Sequence, residues 1–143
     1  MEKNAVITIS GTQQAFGEEP ETIELVTRGT YRFEPGFAEL SYVETQMTGL
    51  EGVLTTFAVE DESRVTLTRE GKINSVMHFA VGKRDDSLYD AEGVGPLLVT
   101  ACTRSVTVLL NENGGVFDLE YDVEIEHTAC GTNGYHIEVR VQK

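Results

Sequence analysis

Two oppositely charged residues lie on strand patterns that are otherwise apolar on the same side, which makes them the first candidates for chemistry. Glu44 follows Leu40 and Tyr42 at a spacing of two residues. Arg69 follows Leu67 at the same spacing. Side chains of a β-strand alternate between its two faces, so each charge shares a face with apolar neighbours. Because a buried charge without a partner is costly, we expect Glu44 and Arg69 to meet inside a β-domain or at one end of it.

A pair of charges in this position could orient the polar group of a small ligand. Met and aromatic side chains on the same faces favour an apolar or amphipathic ligand. The candidate ligand-binding residues are Tyr42, Glu44, Arg69, Met77, Phe79, Tyr89 and Tyr121. Two alternatives stay open at this point. Glu44 and Arg69 could form a buried pair that fixes strand register, or each could lie at a strand end and reach water.

Motifs for catalysis or metal binding are absent from the sequence. The histidines are scattered, and His127 with His136 and a nearby glutamate has no recognised metal-ligand spacing. No serine lies in a Gly-x-Ser-x-Gly elbow. The Gly93–Gly95 run lacks the Lys-Ser or Lys-Thr of a phosphate loop. We therefore expect no enzyme activity, no metal and no cofactor.

The elements that must position these side chains are β-strands. The clearest one runs from Phe117 to Glu126, where apolar and acidic residues alternate without a break. Its predicted buried face carries Leu119, Tyr121, Val123 and Ile125, and its predicted wet face carries Asp118, Glu120, Asp122, Glu124 and Glu126. Such alternation is typical of a strand with one face in a core and one in water.

Similar but looser patterns recur along the chain, and no segment has an apolar period of 3.6 residues. Further strands are predicted at 5–10, 22–33, 37–46, 53–60, 63–69, 72–81, 97–103, 105–110 and 135–141, with a short one beginning at Tyr89. Gly29 within the second of these predicts a bend or bulge. The fold class is all-β, with a single closed antiparallel barrel of about 8–10 strands spanning residues 1–143 as one domain.

The charged-residue composition limits the classes of partner that we expect. The chain has 143 residues, with 11 Lys and Arg against 24 Asp and Glu, so its formal net charge is −13. This charge repels nucleic acid and anionic membranes, which excludes both as expected partners. The negative charge indicates either a solvated surface or an acidic patch that binds a basic protein. Without a visible secretion signal or membrane helix, we expect a cytoplasmic location, with Cys102 and Cys130 as free thiols.

Several short motifs, in order, carry a resemblance to a known family. They are Glu39-Leu-Ser-Tyr-Val-Glu44, Val65-Thr-Leu-Thr-Arg-Glu-Gly71, Met77-His-Phe79, Tyr89 with a following Gly, Thr100-x-x-Arg-Ser and Leu119-Glu-Tyr-Asp-Val123. From Ile23 to Val141 the chain resembles the YwiB-like family of bacterial β-barrel proteins, a domain of unknown function. The resemblance implies a calycin-like barrel akin to lipocalins and fatty-acid-binding proteins. It departs from the family pattern at Val94-Gly95, where the family has an aromatic residue before Gly.

Three functional hypotheses follow, and the oligomeric state is left open. The first is non-enzymatic binding of a small molecule in the barrel or at its mouth, which the fold-level analogy favours slightly. The second is a protein-interaction or regulatory module that uses the acidic outer face or a barrel rim, with a filled interior. The third, least favoured, is an enzyme with a rim site built from Tyr89, Arg69 and Glu44.

Overall fold

Ten strands form the described part of the chain, which in the computed structural model comprises residues 2–15, 17–45, 50–61, 63–91, 93 and 95–142. They are β1 (Glu2–Ala15), β2 (Glu21–Glu34), β3 (Phe37–Val43), β4 (Leu54–Glu60), β5 (Arg64–Glu70), β6 (Ile73–Ala80), β7 (Arg84–Ala91), β8 (Gly95–Asn111), β9 (Gly114–Ile125) and β10 (Thr128–Val141). Each strand lies antiparallel beside the next, and β10 returns to β1 to close the barrel. The predicted fold class, a closed antiparallel all-β barrel, is confirmed.

Two-residue alternation decides which side chains enter the barrel. On β9, Phe117, Leu119 and Tyr121 are at most 3% exposed, whereas Glu120 between them is exposed. The predicted buried face of this strand is therefore confirmed for Leu119, Tyr121 and Val123, but the prediction is wrong for Ile125, which is 37% exposed at the end of the strand. Aromatic rings fill much of the interior, and Phe57 contacts the rings of Phe117 and Tyr135 edge to face at 5.6 and 5.4 Å.

The predicted strands 97–103 and 105–110 are one strand, β8, interrupted by a bulge. Thr103 is opposite Tyr121 and Ser105 is opposite Glu120, so Arg104 is an extra residue without a ladder partner. A bulge shifts the alternation by one residue. Even-numbered positions such as Val106 therefore face the core after the bulge, and the sequence pattern breaks there.

Other boundaries also differ from the prediction, and β10 begins at Thr128 rather than at Tyr135. β1 continues to Ala15 through residues expected to form a loop, and β7 begins at Arg84, well before Tyr89. Both extensions are polar, so they carry no apolar alternation to detect. β3 ends at Val43. Gln46, the predicted end of that strand, and Val94, the departure from the family pattern, lie outside the described residues.

The described residues of β6 and β7 share a short ladder, and we call the boundary between them the β6–β7 seam. Ile73 pairs with Ala91 and Asn74 with Asp90. Further along, the Asp85 carboxylate accepts a hydrogen bond from the backbone N–H of His78 at 3.3 Å. A side chain thus replaces a ladder partner where the two strands diverge. No helix of the described residues is long and apolar enough to cross a membrane.

Gly29 is explained by a close approach of backbones rather than by a bulge. The register of β2 passes through Gly29 without a shift on either side. A Cβ atom there would lie 2.1 Å from the carbonyl oxygen of Ser41 and 2.7 Å from Cδ1 of Ile7. Only glycine therefore allows β2 to pack against β3 and β1 at this point.

We expect Gly29→Ala to lower the free energy of unfolding by about 1–3 kcal/mol, because the added methyl group must displace backbone. The matched control is Gly134→Ala, where the nearest atom to the new Cβ is a carbonyl oxygen of Leu119 at 3.5 Å, an ordinary contact. Urea unfolding measures both variants. Equal stability of the two variants would contradict the close-approach explanation.

Candidate functional site at one end of the barrel

A cavity of about 150 Å³ lies at the barrel end where β1 and β3 finish and β2 and β10 begin. One wall is apolar and includes Ile9, Ile23, Leu25 and Leu50. The other wall is polar and includes Tyr42, Glu44, Arg69 and Tyr135. The cavity therefore offers both an apolar surface and hydrogen-bonding groups of either charge.

Strand register brings the polar wall together. Tyr42 is opposite Thr55, Thr55 is opposite Arg69, and Arg69 is opposite Ser75. We call these four residues, on β3, β4, β5 and β6, the polar row. Tyr42, Thr55 and Ser75 are each at most 5% exposed. An unbroken row of polar side chains thus crosses four strands inside a barrel whose core is otherwise mainly apolar.

Glu44 is buried, with 4% of its surface exposed, and its partners are hydroxyl groups. Thr55 Oγ1 donates to Glu44 Oε2 at 2.6 Å. Backbone hydrogen bonds with Val53 and Gly52 fix the position of the residue just beyond β3. Burial raises the pKa of Tyr42, and the negative charge of Glu44 and a hydrogen bond to it raise that pKa further. The Tyr42 phenol is therefore a protonated donor beside the carboxylate.

The guanidinium of Arg69 contacts a tyrosine hydroxyl rather than Glu44. Its Nη2 donates to the hydroxyl of Tyr135 at 3.1 Å. Burial disfavours the charged form of Arg69 and by itself would lower its pKa. The proximity of Tyr135 and the hydrogen bond to it act in the opposite direction, and the pKa of Arg69 is raised. Among the described residues, Glu44 and Arg69 form no direct ion pair. They meet at one cavity, as expected, but each is held by hydroxyl groups.

Further tyrosines surround the guanidinium. Burial raises the pKa of half-buried Tyr89 and of buried Tyr121, and both rings lie close enough to Arg69 to feel its charge. Tyr121 also shares side-chain hydrogen bonds with Asn133 and Tyr135. Four of the five tyrosines of the chain thus lie around one arginine.

The seven predicted ligand-binding residues divide into three groups. Tyr42, Glu44 and Arg69 line the cavity. Tyr89 and Tyr121 lie beside Arg69, behind the cavity wall. Met77 and Phe79 are core residues at 5% and 1% exposure, and Phe79 packs against Tyr121 with ring centroids 4.5 Å apart.

Sequence reasoning missed Thr55, Ser75, Asn133 and Tyr135. Tyr135 shares its parity with the buried residues Ile137 and Val139, so this alternation could have placed it inside. Thr55 similarly alternates with Phe57. No sequence signal marks which of these polar residues contacts which charge, because that depends on register between distant strands.

The histidines lie away from this cavity. His136 Nδ1 is 2.6 Å from the Asp118 carboxylate on the outer wall, and this hydrogen bond raises the pKa of His136. His78 is exposed and contacts the Thr66 hydroxyl. His127 is in the turn that precedes β10. Within the described ranges, no three His, Cys, Asp or Glu side chains are grouped so that they could hold a metal ion.

A double-mutant cycle of Glu44→Gln and Thr55→Val tests the buried hydrogen bond. We expect Thr55→Val alone to lower the free energy of unfolding by about 1–3 kcal/mol, because it leaves a buried carboxylate oxygen without its donor. The double variant should cost clearly less than the sum of the single variants. The control cycle pairs Glu44→Gln with Arg69→Met and should show weaker coupling. Additive effects in the first cycle would contradict the contact.

The buried tyrosines predict an alkaline loss of stability. Burial raises the pKa of Tyr31 to about 12 from 10.0, and the pKa values of Tyr42, Tyr89 and Tyr121 are raised as well. The unfolded chain releases these protons at lower pH than the folded protein does. This contribution to stability is therefore complete below pH of about 10 and is lost as pH rises through the folded values.

Urea unfolding between pH 9 and 12, with tyrosinate absorbance followed in parallel, checks this expectation. The fall in stability should be smaller in Tyr31→Phe, which lacks one titrating group. That variant should also be less stable at neutral pH, since Tyr31 donates to the carbonyl oxygen of Asn111 at 2.7 Å. Ionisation of all tyrosines at their ordinary pKa without any loss of stability would be the contrary result.

Comparison with known proteins gives one family and one solved structure. Residues 7–137 match the family described as a domain of unknown function, DUF1934. The crystal structure of the ywiB protein from Bacillus subtilis is similar at a TM-score of 0.79 and 20% sequence identity, over 99% of this chain and 94% of that one. No curated protein matches the sequence.

The likeness to the ywiB protein shows that the two chains share a barrel fold. It does not extend to activity at this level of identity, and the calycin-like kinship implied by the sequence stays a prediction. The family match covers most of the chain, including the strands that carry Tyr42, Glu44, Arg69 and Tyr135. The chain therefore belongs to the YwiB-like DUF1934 family of β-barrel proteins.

Proposed function

We propose that the protein binds a small amphipathic molecule at the cavity end of the barrel and catalyses no reaction on it. The observation that carries this proposal is the cavity itself, which is lined both by apolar Ile9, Ile23 and Leu25 and by polar Tyr42, Glu44 and Arg69. Ligand sites in proteins typically combine apolar walls with a few placed polar groups. If these residues served only as structural core, we would expect them to be fully packed and to leave no cavity.

The cavity size limits the ligand. At about 150 Å³ the space equals the volume of roughly five water molecules in the liquid, so it suits a short chain rather than a long lipid. Ile23, at the edge of the apolar wall, is 48% exposed. An apolar side chain exposed there could contact the part of a ligand that extends out of the cavity.

The chemistry of the polar wall favours binding over catalysis. A general base is most effective when its pKa lies near the working pH. The pKa values of Tyr42, Tyr89 and Tyr121 are all raised above the ordinary tyrosine value, so these phenols keep their protons at neutral pH. They can donate and accept hydrogen bonds, which is what orienting a ligand requires.

The second candidate is a protein-interaction module that uses the acidic outer face of β9. Asp118, Glu120 and Asp122 face outward, as such a surface would need. Their charge is partly compensated, however, because Arg104 lies 3.4 Å from Glu120 and 3.6 Å from Asp122. The face therefore attracts a basic partner less than its sequence suggests, and we rank this function second.

Native mass spectrometry of the freshly purified protein, compared with its denatured mass, tests the binding proposal. We expect an excess mass that denaturation removes. Gly11→Leu should abolish it, since Gly11 lines the cavity and an added Cβ there meets the ring of Tyr135 no closer than 3.7 Å. Ser10→Leu, on the outer side of the same strand, is the matched control and should retain the ligand. Equal loads in both variants would place any bound molecule elsewhere and contradict this site.

A further inference from the structure

Two atoms of the polar row are buried without a hydrogen-bond partner among the described residues. They are Nε of Arg69 and Oγ of Ser75, which belong to residues directly opposite each other on β5 and β6. Ser75 is 5% exposed. Buried polar groups in folded proteins nearly always have a partner, and leaving one unpaired is costly. Arg69 itself lines the cavity, so a polar group from outside the chain could supply the acceptor that its guanidinium lacks.

The charge at this place is uncompensated. Nη2 of Arg69 donates to the hydroxyl of Tyr135, and among the described residues no carboxylate pairs with the guanidinium. The nearby carboxylate of Glu44 is engaged by Thr55 at 2.6 Å. A cation shielded from water without a counter-ion is unfavourable, so an anionic occupant would be stabilised here.

The shape of the donors selects the kind of anion. Nε–H lies on the side of a planar guanidinium, and that planar arrangement matches the two oxygens of a carboxylate. Glu44, negative in the same cavity, disfavours a second negative charge on the ligand. The apolar wall of Ile9, Ile23 and Leu25 then accommodates a short hydrocarbon tail.

We propose that the ligand is a short-chain monocarboxylate whose carboxylate accepts hydrogen bonds from the Arg69 guanidinium. This inference rests on the proposed binding function and specifies its ligand class. A primary alcohol of equal length would contact the same apolar wall but leave the guanidinium charge uncompensated. An alkylammonium ion would be repelled by it.

The test is a titration of isotope-labelled protein, followed by NMR, with hexanoate, 1-hexanol and hexylamine. We expect hexanoate to bind about tenfold or more tighter than 1-hexanol, with hexylamine weakest, because hydrogen bonds to charged groups are the stronger ones. Shifts should concentrate on residues around Arg69 and Tyr135. Lowering the pH through the pKa of hexanoic acid should remove its advantage over the alcohol in the unmodified protein.

Substitutions identify the donors. Arg69→Met should abolish the preference for hexanoate over 1-hexanol while the alcohol still binds. Arg69→Lys should keep part of the preference, because it retains the charge and loses the planar edge. If Arg69→Met does not fold, the pH series on the unmodified protein still shows whether the preference for hexanoate depends on its negative charge.

The outcomes separate the two proposals. If 1-hexanol binds as tightly as hexanoate at neutral pH, the carboxylate inference is wrong while the binding function stands. If hexanoate is preferred but Arg69→Met keeps that preference, the assigned donors are wrong. If none of the three compounds binds, the alcohol included, the proposed binding function itself is overturned.

Discussion

Closure of the sheet is the constraint on which this structure depends. In a closed barrel every second side chain points away from water, so an inward polar group must find its partner on another strand. The polar row provides such partners, because its members Tyr42, Thr55, Arg69 and Ser75 lie in register on four consecutive strands. Thr55 and Tyr42 both form hydrogen bonds with the Glu44 carboxylate. The row therefore holds two opposite charges inside the barrel without a direct ion pair in the described structure.

Alternation is the part of this arrangement that the sequence reveals. It predicts the buried face of β9 and puts Glu44 and Arg69 on inward faces, because period-two patterning is local. The contacts of those charges are not local. Arg69 and Tyr135 are 66 positions apart and meet through the barrel interior, so no spacing along the chain marks them as partners. The bulge at Arg104 and the polar first half of β7 escaped prediction for a related reason: neither carries an apolar signal of its own.

The β6–β7 seam shows where closure is weakest. After Asn74 and Asp90 the ladder stops, and the Asp85 carboxylate binds a backbone N–H of β6 in its place. Exposed Val76 and Leu88, at 46% and 60%, flank the divergence. Regions with fewer backbone hydrogen bonds open at lower free energy than the rest of a fold. The strand that carries Ser75 thus borders the part of the wall that opens most readily, whereas β5, with Arg69, is paired along its length on both sides.

The separation of Glu44 from Arg69 suits the binding site that we propose and differs from a structural ion pair. A direct ion pair would neutralise both groups and leave the cavity with little reason to prefer any ligand. Here hydroxyl groups donate hydrogen bonds to the Glu44 carboxylate, and the Tyr135 phenol accepts one from the Arg69 guanidinium. Each charge is therefore fixed in position and still acts on the cavity. Fixed donors that need no rearrangement reduce the cost of binding. If the proposed ligand binds, its carboxylate would recover the stability given up by leaving Arg69 Nε without a partner among the described residues.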